Sequence, residues 1–181
     1  IRAKREEAQE QGVKGWNKLR EFIGGTPPTE GSEDVPDDAY DDGKIAAKGI
    51  ELIQQLAPSD KPFFIAVGFK KPHLPFVAPK KYWDLYDRKS FKVAPFQQMP
   101  EGAPAYHFQD SWELKNGSYS GITKDGRQPV ETQLLLIHGY YACVSYVDAQ
   151  IGKVLAALEA SGEAENTIIV LWGDHGWHLG D

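Results

Sequence analysis

A loop rich in proline and lysine carries the first histidine that could do chemistry. His73 lies between two prolines and follows Lys70-Lys71. A stiff, positively charged loop suits an anion, because little conformational entropy remains to be lost on binding. His73 could donate a proton or bind an anion, and Lys71 is a second candidate for a pocket residue. The alternative for His73 is an ordinary surface histidine.

A second group of candidates follows the apolar run 167–172. Asp174 and His175 are adjacent, and His178 comes three residues later. Carboxylate oxygens and imidazole nitrogens are ordinary metal ligands, and the glycines on either side allow a sharp turn close to an ion. We therefore take Asp174 and His175 as candidate metal ligands and His178 as a candidate pocket residue. Two ligands do not complete a site, and the alternative is a capping aspartate beside a histidine bonded to backbone.

Both groups follow a segment with the composition of a buried β-strand. Residues 63–69 and 167–172 are continuous runs of apolar, aromatic and β-branched residues, typical of strands buried on both faces. Apolar residues at three- and four-residue steps predict helices over about 38–57 and 131–161. This order predicts an α/β fold with a mostly parallel sheet flanked by helices. Ligands in such folds bind beyond the carboxyl ends of the strands, so the two groups should meet there.

The remaining segments are polar or irregular. Residues 1–33 read as a polar N-terminal helix or arm. Residues 88–130 combine prolines with many aromatic residues, which predicts a packed, irregular excursion in which substrate selectivity could reside. Six of the ten residues from Glu33 to Asp42 are acidic, which favours a solvated start of the first long helix. Two prolines within residues 72–75 should exclude helix and strand from the loop that ends at Phe76.

Composition and charge exclude several classes of protein. The 181 residues carry a net charge of −6, so the chain lacks the basic excess typical of nucleic-acid-binding proteins. It has no apolar run of 18 residues, which argues against a transmembrane helix. Its one cysteine, Cys143, excludes an internal disulfide and a multi-cysteine zinc site. Cys143 and His138 lie on the predicted long helix, where both are predicted to be structural.

Three blocks of sequence, in order and with consistent spacing, carry a family resemblance. They are residues 61–69 with 71–76, residues 141–148 with 151–152, and residues 166–180. Together they resemble the sulfatase family of the alkaline-phosphatase superfamily, and within it the iduronate-2-sulfatase-like branch. The resemblance covers about Asp34 to Asp181. It implies that residues 34–181 are the central part of a sulfatase catalytic domain, with an incomplete α/β fold of the alkaline-phosphatase type.

The resemblance implies a reaction, namely hydrolysis of a sulfate ester on a sugar or glycan. In the family the nucleophile is a formylglycine, made from Cys or Ser in a Cys/Ser-x-Pro-x-Arg motif, and a divalent cation, usually calcium, binds the sulfate oxygens. Asp174 and His175 match two of the family's metal ligands. His73 matches its histidine at the sulfate, near the leaving oxygen.

Some residues of the family pattern are missing from this chain. It contains no Cys/Ser-x-Pro-x-Arg motif, since Cys143 is followed by Val144-Ser145-Tyr146. Asp41-Asp42 precede a helix rather than follow a first strand, so they are not assigned as metal ligands. The family's active-site lysine would lie beyond Asp181. We therefore expect a piece from the middle of a sulfatase, with its nucleophile outside this chain, that alone is inactive and binds metal weakly.

Several alternatives stay open. A phosphoesterase of the same superfamily would share the metal pair, and a non-catalytic relative could bind sulfated glycans on the same scaffold. A small, complete domain with an unrelated binding role is a third possibility. By analogy with the family we expect a periplasmic or extracellular protein, or a lysosomal one in a eukaryote. The sequence does not predict the oligomeric state.

Overall fold

The computed structural model describes residues 2–14, 18, 22, 25–31, 33–104, 106, 112–116 and 119–179. Five α-helices and two short β-strands can be bounded within these ranges. The helices are α1 (Arg2–Glu10), α2 (Asp41–Leu56), α3 (Lys80–Trp83), α4 (Trp112–Asn116) and α5 (Val130–Ala160), and the strands are β1 (Thr29–Glu30) and β2 (Phe76–Val77). The two long helices predicted from apolar periodicity are confirmed as α2 and α5.

The core lies where α5 packs against β2 and α3. It is formed by buried apolar side chains from several segments: Leu74, Phe76, Ala78, Tyr82, Trp83, Leu114, Ile122, Leu136, Ala142, Cys143 and Tyr146. His138 is also buried, as predicted for a structural histidine. Its Nε2 donates to the carbonyl oxygen of Trp83 at 2.9 Å, and its Nδ1 accepts from Arg88 Nε at 3.2 Å. Both ring nitrogens are therefore satisfied inside the protein.

The two strands form a parallel pair in which Thr29 is opposite Phe76 and Glu30 is opposite Val77. The amide of Phe76 donates to the carbonyl oxygen of Pro28 at 2.7 Å. The expectation that the proline-rich loop excludes a strand as far as Phe76 is therefore wrong. Proline lacks its own N–H, but the next residue keeps one and can enter a ladder. Helices pack on this parallel pair, so the described part of the chain agrees with the predicted α/β class.

The two apolar runs do not form the predicted buried strands. Residues 63–69 and 167–172 are not assigned to any sheet in the part of the chain that the structure describes. Along 63–69 the side chains alternate between half-buried and exposed, and Phe64 is 92% exposed. Trp172 is 85% exposed at the end of the second run. A strand is buried on both faces only when other strands and helices cover it. Only one side of the run 63–69 is partly covered, for example where Val67 lies against Gly49 of α2.

The acidic segment before α2 is not simply solvated, which corrects the expectation from its composition. Asp37 is 8% exposed and begins a 3-10 turn, Asp37–Ala39. Its carboxylate contacts the ammonium groups of Lys81 at 2.8 Å and Lys153 at 2.5 Å, and it accepts from the hydroxyl of Tyr82 at 3.0 Å. Burial raises the pKa of Asp37, but these bonds and one from Gln150 outweigh it and lower its pKa to about 2.

The excursion at 88–130 is anchored by aliphatic side chains and by some of its aromatic ones, since Tyr119 packs against the core cluster and the centroid of the Phe91 ring lies 4.9 Å from that of Tyr141. Leu114 and Ile122 are buried in the core cluster, whereas Phe96, Tyr106 and Trp112 are exposed. Residues 105, 107–111 and 117–118 lie outside the described residues. The described part of the segment is therefore packed at particular points, and its role in substrate selectivity stays a prediction.

Across the described ranges, no helix is long and apolar enough to cross a membrane. The predicted boundary between an N-terminal arm and the main body at residue 33 stays a prediction. β1, which lies on the N-terminal side of that boundary, pairs with β2.

Candidate active-site cleft

A cleft of about 910 Å³ lies between the start of α2, the loop 70–75 and the segment 174–177. Four of the five residues singled out from the sequence line it. The lining includes Asp41, Asp42, Lys44, Lys70, Lys71, His73, Tyr146, Asp174, His175 and Trp177. The structure thus brings the His73 loop and the Asp174-His175 pair together, although they are about 100 residues apart in the chain.

Asp42 holds the beginning of the His73 loop. Its buried carboxylate accepts hydrogen bonds from the backbone amides of Lys70 and Lys71, both at 2.9 Å. The side chain of Lys70 turns outward and forms an exposed ion pair with Asp41 at 2.7 Å. The first turn of α2 therefore fixes the backbone at the point where the loop enters the cleft. Both X-Pro bonds of the loop, Lys71-Pro72 and Leu74-Pro75, are cis.

Lys71 has a structural position inside the loop. Its ammonium group donates to the carbonyl oxygens of Pro75 at 2.6 Å and His73 at 3.0 Å. Burial lowers the pKa of Lys71, which is only partly offset by nearby negative groups. Two of its three donors are thus used to brace the loop. Its assignment as a substrate-binding residue stays a prediction, and the observed bonds favour a bracing role.

His73 lines the cleft, and each of its ring nitrogens has a defined neighbour. Its Nδ1 lies 2.8 Å from the carbonyl oxygen of Leu74. Since a carbonyl oxygen only accepts, Nδ1 must be the donor, a tautomer inferred from the bonding. Nε2 lies 3.7 Å from Oε2 of Glu113 in α4. Sequence reasoning missed Glu113, because no spacing or motif relates a residue of the irregular excursion to the loop.

Asp174 and His175 are both highly exposed, with 87% and 70% of their side chains accessible. Oδ2 of Asp174 lies 3.9 Å from Nε2 of His175. A hydrogen bond from the backbone amide of His175, at 2.9 Å, is the main cause that lowers the pKa of Asp174. The carboxylate is therefore ionised and accessible to a cation at neutral pH.

The segment that carries this pair is held by packing rather than by a special glycine turn. Trp177 is partly buried against the core, and its ring meets that of Phe76 edge to face with centroids 6.2 Å apart. Neither Gly173 nor Gly176 is among the described glycines with a positive φ. The observed backbone therefore does not require glycine at either position, and the suggested close approach of this turn to an ion stays a prediction.

His178 takes a different position from the other candidates. Its side chain is exposed, and it is not among the described residues that line the cleft. Its assignment as a pocket residue therefore stays a prediction.

Asp174 and His175 fit two positions of a metal site but do not complete one. An accessible carboxylate oxygen and an imidazole nitrogen are suitable donors for a divalent cation. No group of three or more His, Cys, Asp or Glu side chains suited to a metal ion is present within the described ranges. Further ligands would have to come from other residues.

The loop 70–75 is positively charged, whereas the lining of the whole cleft carries both signs of charge. Three lysines and two histidines line it, but so do five carboxylates: Glu6, Glu30, Asp41, Asp42 and Asp174. The positive charge that the loop offers to an anion is therefore largely balanced. A bound divalent cation would add the positive charge that the cleft needs to attract an anionic ligand.

Comparison with known proteins decides the family. The family model described as Sulfatase matches residues 4–181. The chain belongs to the sulfatase family. Iduronate 2-sulfatase of Homo sapiens is 37% identical over 152 residues, which are 82% of this chain and 28% of that protein.

Two further relatives show the breadth of the family around this chain. A sulfatase of Formosa agariphila is 37% identical over 131 residues, covering 67% of this chain and 23% of that protein. A multifunctional alkaline phosphatase superfamily protein of Trinickia caryophylli is 29% identical over 128 residues, covering 67% and 24%. The chain thus spans 28% or less of the length of these relatives.

Proposed function

We propose that the protein to which this chain belongs hydrolyses sulfate esters of a sugar or glycan. The observation that carries the proposal is the shared cleft. In a chain of the sulfatase family, the loop with His73 and the segment with Asp174 and His175 line one cavity of about 910 Å³. These are the residues that match the sulfate-binding and metal-binding positions of the family.

His73 is proposed to contact the sulfate and to protonate the leaving alcohol. Its Nδ1 is occupied by the carbonyl oxygen of Leu74 at 2.8 Å, so Nε2 is the nitrogen available to a substrate. A ring fixed through Nδ1 can deliver a proton from Nε2 in a constant direction, which is what general acid catalysis requires.

Asp174 and His175 are proposed to hold a divalent cation, with calcium as our choice from the family. A cation bound there would offset charge on the sulfate oxygens during bond cleavage. The lowered pKa of Asp174 keeps its carboxylate ionised, and the exposure of both side chains leaves them free to turn toward an ion. The remaining ligands are proposed to come from residues that this part of the chain does not supply.

The nucleophile is proposed to be a formylglycine outside this chain. The only cysteine here, Cys143, is buried in α5, and burial raises the pKa of its thiol to about 12. A buried thiol with a raised pKa is little ionised at neutral pH, which argues against a thiolate nucleophile at this position. The chain also lacks the motif in which the family's formylglycine is formed. By itself this chain is proposed to be inactive.

A comparison of sulfate and phosphate esters tests the reaction. The full-length protein is assayed for sulfate release from p-nitrophenyl sulfate and sulfated disaccharides, and for hydrolysis of p-nitrophenyl phosphate, with and without calcium. We expect calcium-dependent sulfate release. His73→Ala should lower kcat by about 10²- to 10⁴-fold, the usual contribution of a general acid. Asp174→Asn should raise the calcium concentration needed, whereas the exposed control Asp148→Asn should not.

The other outcomes separate the alternatives. Faster turnover of the phosphate ester would identify a phosphoesterase, a reaction suggested by the alkaline phosphatase superfamily relative. Binding of a sulfated glycan without turnover would identify a non-catalytic binder. Export to the periplasm or the cell exterior, or to a lysosome, remains part of the proposal and is tested by fractionation of the source cells.

A further inference from the structure

The carboxylate of Glu113 approaches His73 from outside the loop that carries it. Oε2 of Glu113 lies 3.7 Å from Nε2 of His73, and 37% of the Glu113 side chain is exposed compared with 58% for His73. Glu113 belongs to α4, within the irregular excursion 88–130. The contact therefore links the excursion to the proposed reaction centre.

The position of Glu113 is set by its neighbour in α4. Leu114 is 8% exposed and belongs to the core cluster, so the helix is anchored one residue away. The ammonium group of Lys124 donates to the carbonyl oxygen of Lys115, the residue that follows Leu114 in α4. Because α4 is tied to the core on one side, the Glu113 carboxylate is directed back toward the loop rather than left to move freely in solvent.

The two ring nitrogens of His73 both face acceptors. Nδ1 donates to the carbonyl oxygen of Leu74 at 2.8 Å, and Nε2 faces the Glu113 carboxylate at 3.7 Å. A distance of 3.7 Å is too long for a hydrogen bond. When the ring is protonated at both nitrogens, as a general acid must be, the carboxylate attracts the Nε2 proton without accepting a hydrogen bond from it, and the proton stays available to a leaving oxygen.

We propose that Glu113 is a positioning residue that orients the His73 ring for proton delivery to the leaving alcohol. This inference rests on the proposed function, since it acts through His73 in the hydrolysis of a sulfate ester. No covalent step is assigned to Glu113. Its carboxylate neither attacks the ester nor receives the transferred group.

The same geometry predicts an unusual kinetic signature. A carboxylate near an incoming sulfate repels it, so Glu113 weakens substrate binding while it aligns His73. Replacing it with the isosteric, neutral Gln should lower kcat and leave KM unchanged or lower. We expect kcat to fall about tenfold, less than the ~10²-fold that a 1 Å misplacement of a reacting group can cause. A loss of folding alone would instead lower the thermal midpoint.

The test uses the full-length protein with p-nitrophenyl sulfate as the probe. Glu113→Gln is compared with Glu101→Gln, a control at an exposed glutamate of the same excursion. Glu113→Asp, which keeps the charge but shortens the side chain, is the second variant and should fall between wild type and Gln. ¹⁵N-histidine labelling provides a readout that needs no turnover, since the Nε2 resonance of His73 should move in Glu113→Gln and not in the control.

Each result decides one of the two proposals. A roughly tenfold lower kcat, no rise in KM, an unchanged thermal midpoint and a shifted Nε2 resonance support the positioning role. A kcat within twofold of wild type in an active enzyme overturns it. If the wild type releases no sulfate, the proposed function fails, and an unmoved Nε2 resonance then also shows that Glu113 does not hold the ring.

Discussion

Replacing Asp42 with Asn should destabilise the protein far more than the same change at Asp41. Asp42 is 2% exposed, and its two carboxylate oxygens accept from the amides of Lys70 and Lys71 at 2.9 Å. In Asp42→Asn one oxygen remains as an acceptor, but the other becomes an NH₂ group that faces an N–H donor. Losing one hydrogen bond to a charged acceptor costs about 1.5–3 kcal/mol. The second hydrogen bond remains, but its contribution falls to the ~1 kcal/mol of a bond between neutral groups. We expect a total loss of about 3 kcal/mol.

Asp41→Asn is the matched control, because both residues lie in the first turn of α2 and interact equally with the helix dipole. The ion pair of Asp41 with Lys70 is exposed, and a pair of this kind is worth about 0–1 kcal/mol. Urea denaturation of the full-length variants, followed by circular dichroism, measures both losses. Asp42→Asn should also lower kcat, because the released amides begin the loop that carries His73. Equal losses of unfolding free energy in the two variants would refute the reasoning.

Two further predictions concern stability. The pKa of Asp37 is lowered from 3.8 to about 2 in the folded state, so its bonds stabilise the protein above about pH 4 by about 2 kcal/mol, and this stabilisation is lost as the pH falls toward 2. The unfolding free energy of Asp37→Asn, measured between pH 5 and 2, should lack that part of the pH dependence; an unchanged slope would contradict it. Gly139→Ala should cost about 1–3 kcal/mol by overpacking, since its Cβ would lie 2.9 Å from Thr29 and 3.0 Å from Phe76. Gly152→Ala, where a Cβ meets no other atom within 4 Å, is the control, and equal effects would show that close packing at residue 139 is not the cause.

The helices could be predicted from the sequence because their signal is local. Apolar side chains at helical spacing placed α2 and α5 to within a few residues of their observed bounds. The parallel pair of β1 and β2 could not be predicted. Each strand has two residues, too few for an alternating pattern, and their pairing depends on contacts between distant segments.

The acidic residues illustrate the limit of composition as a guide to burial. Asp37 and Asp42 belong to the run whose charge favours solvent, yet both are buried. Each has partners that the local sequence does not reveal: two ammonium groups for Asp37 and two backbone amides for Asp42. A buried carboxylate is tolerated when it is paired in this way, and the pairing is a property of the fold.

The sequence predicted that His73 and Asp174 would lie near each other, and both do line one cleft. The structural reason differs from the predicted one. A parallel sheet was expected to bring His73 and Asp174 together at the carboxyl ends of two paired strands. The runs 63–69 and 167–172 are not paired in the part of the chain that the structure describes, yet both residues line one cleft. Side-chain contacts at the ends of the runs position them instead.

Those contacts act on the two segments independently. The carboxylate of Asp42 binds the backbone where the first run ends, and Trp177 packs on Phe76 just beyond the second. Phe76 directly follows the His73 loop, so the packing of Trp177 also brings the Asp174 segment to that loop. Both contacts lie next to the candidate residues, so the geometry of the cleft depends on them. In the described runs they act in place of the hydrogen bonds between paired strands. A substitution at Asp42 or Trp177 should therefore disturb the site more than one at the exposed Phe64.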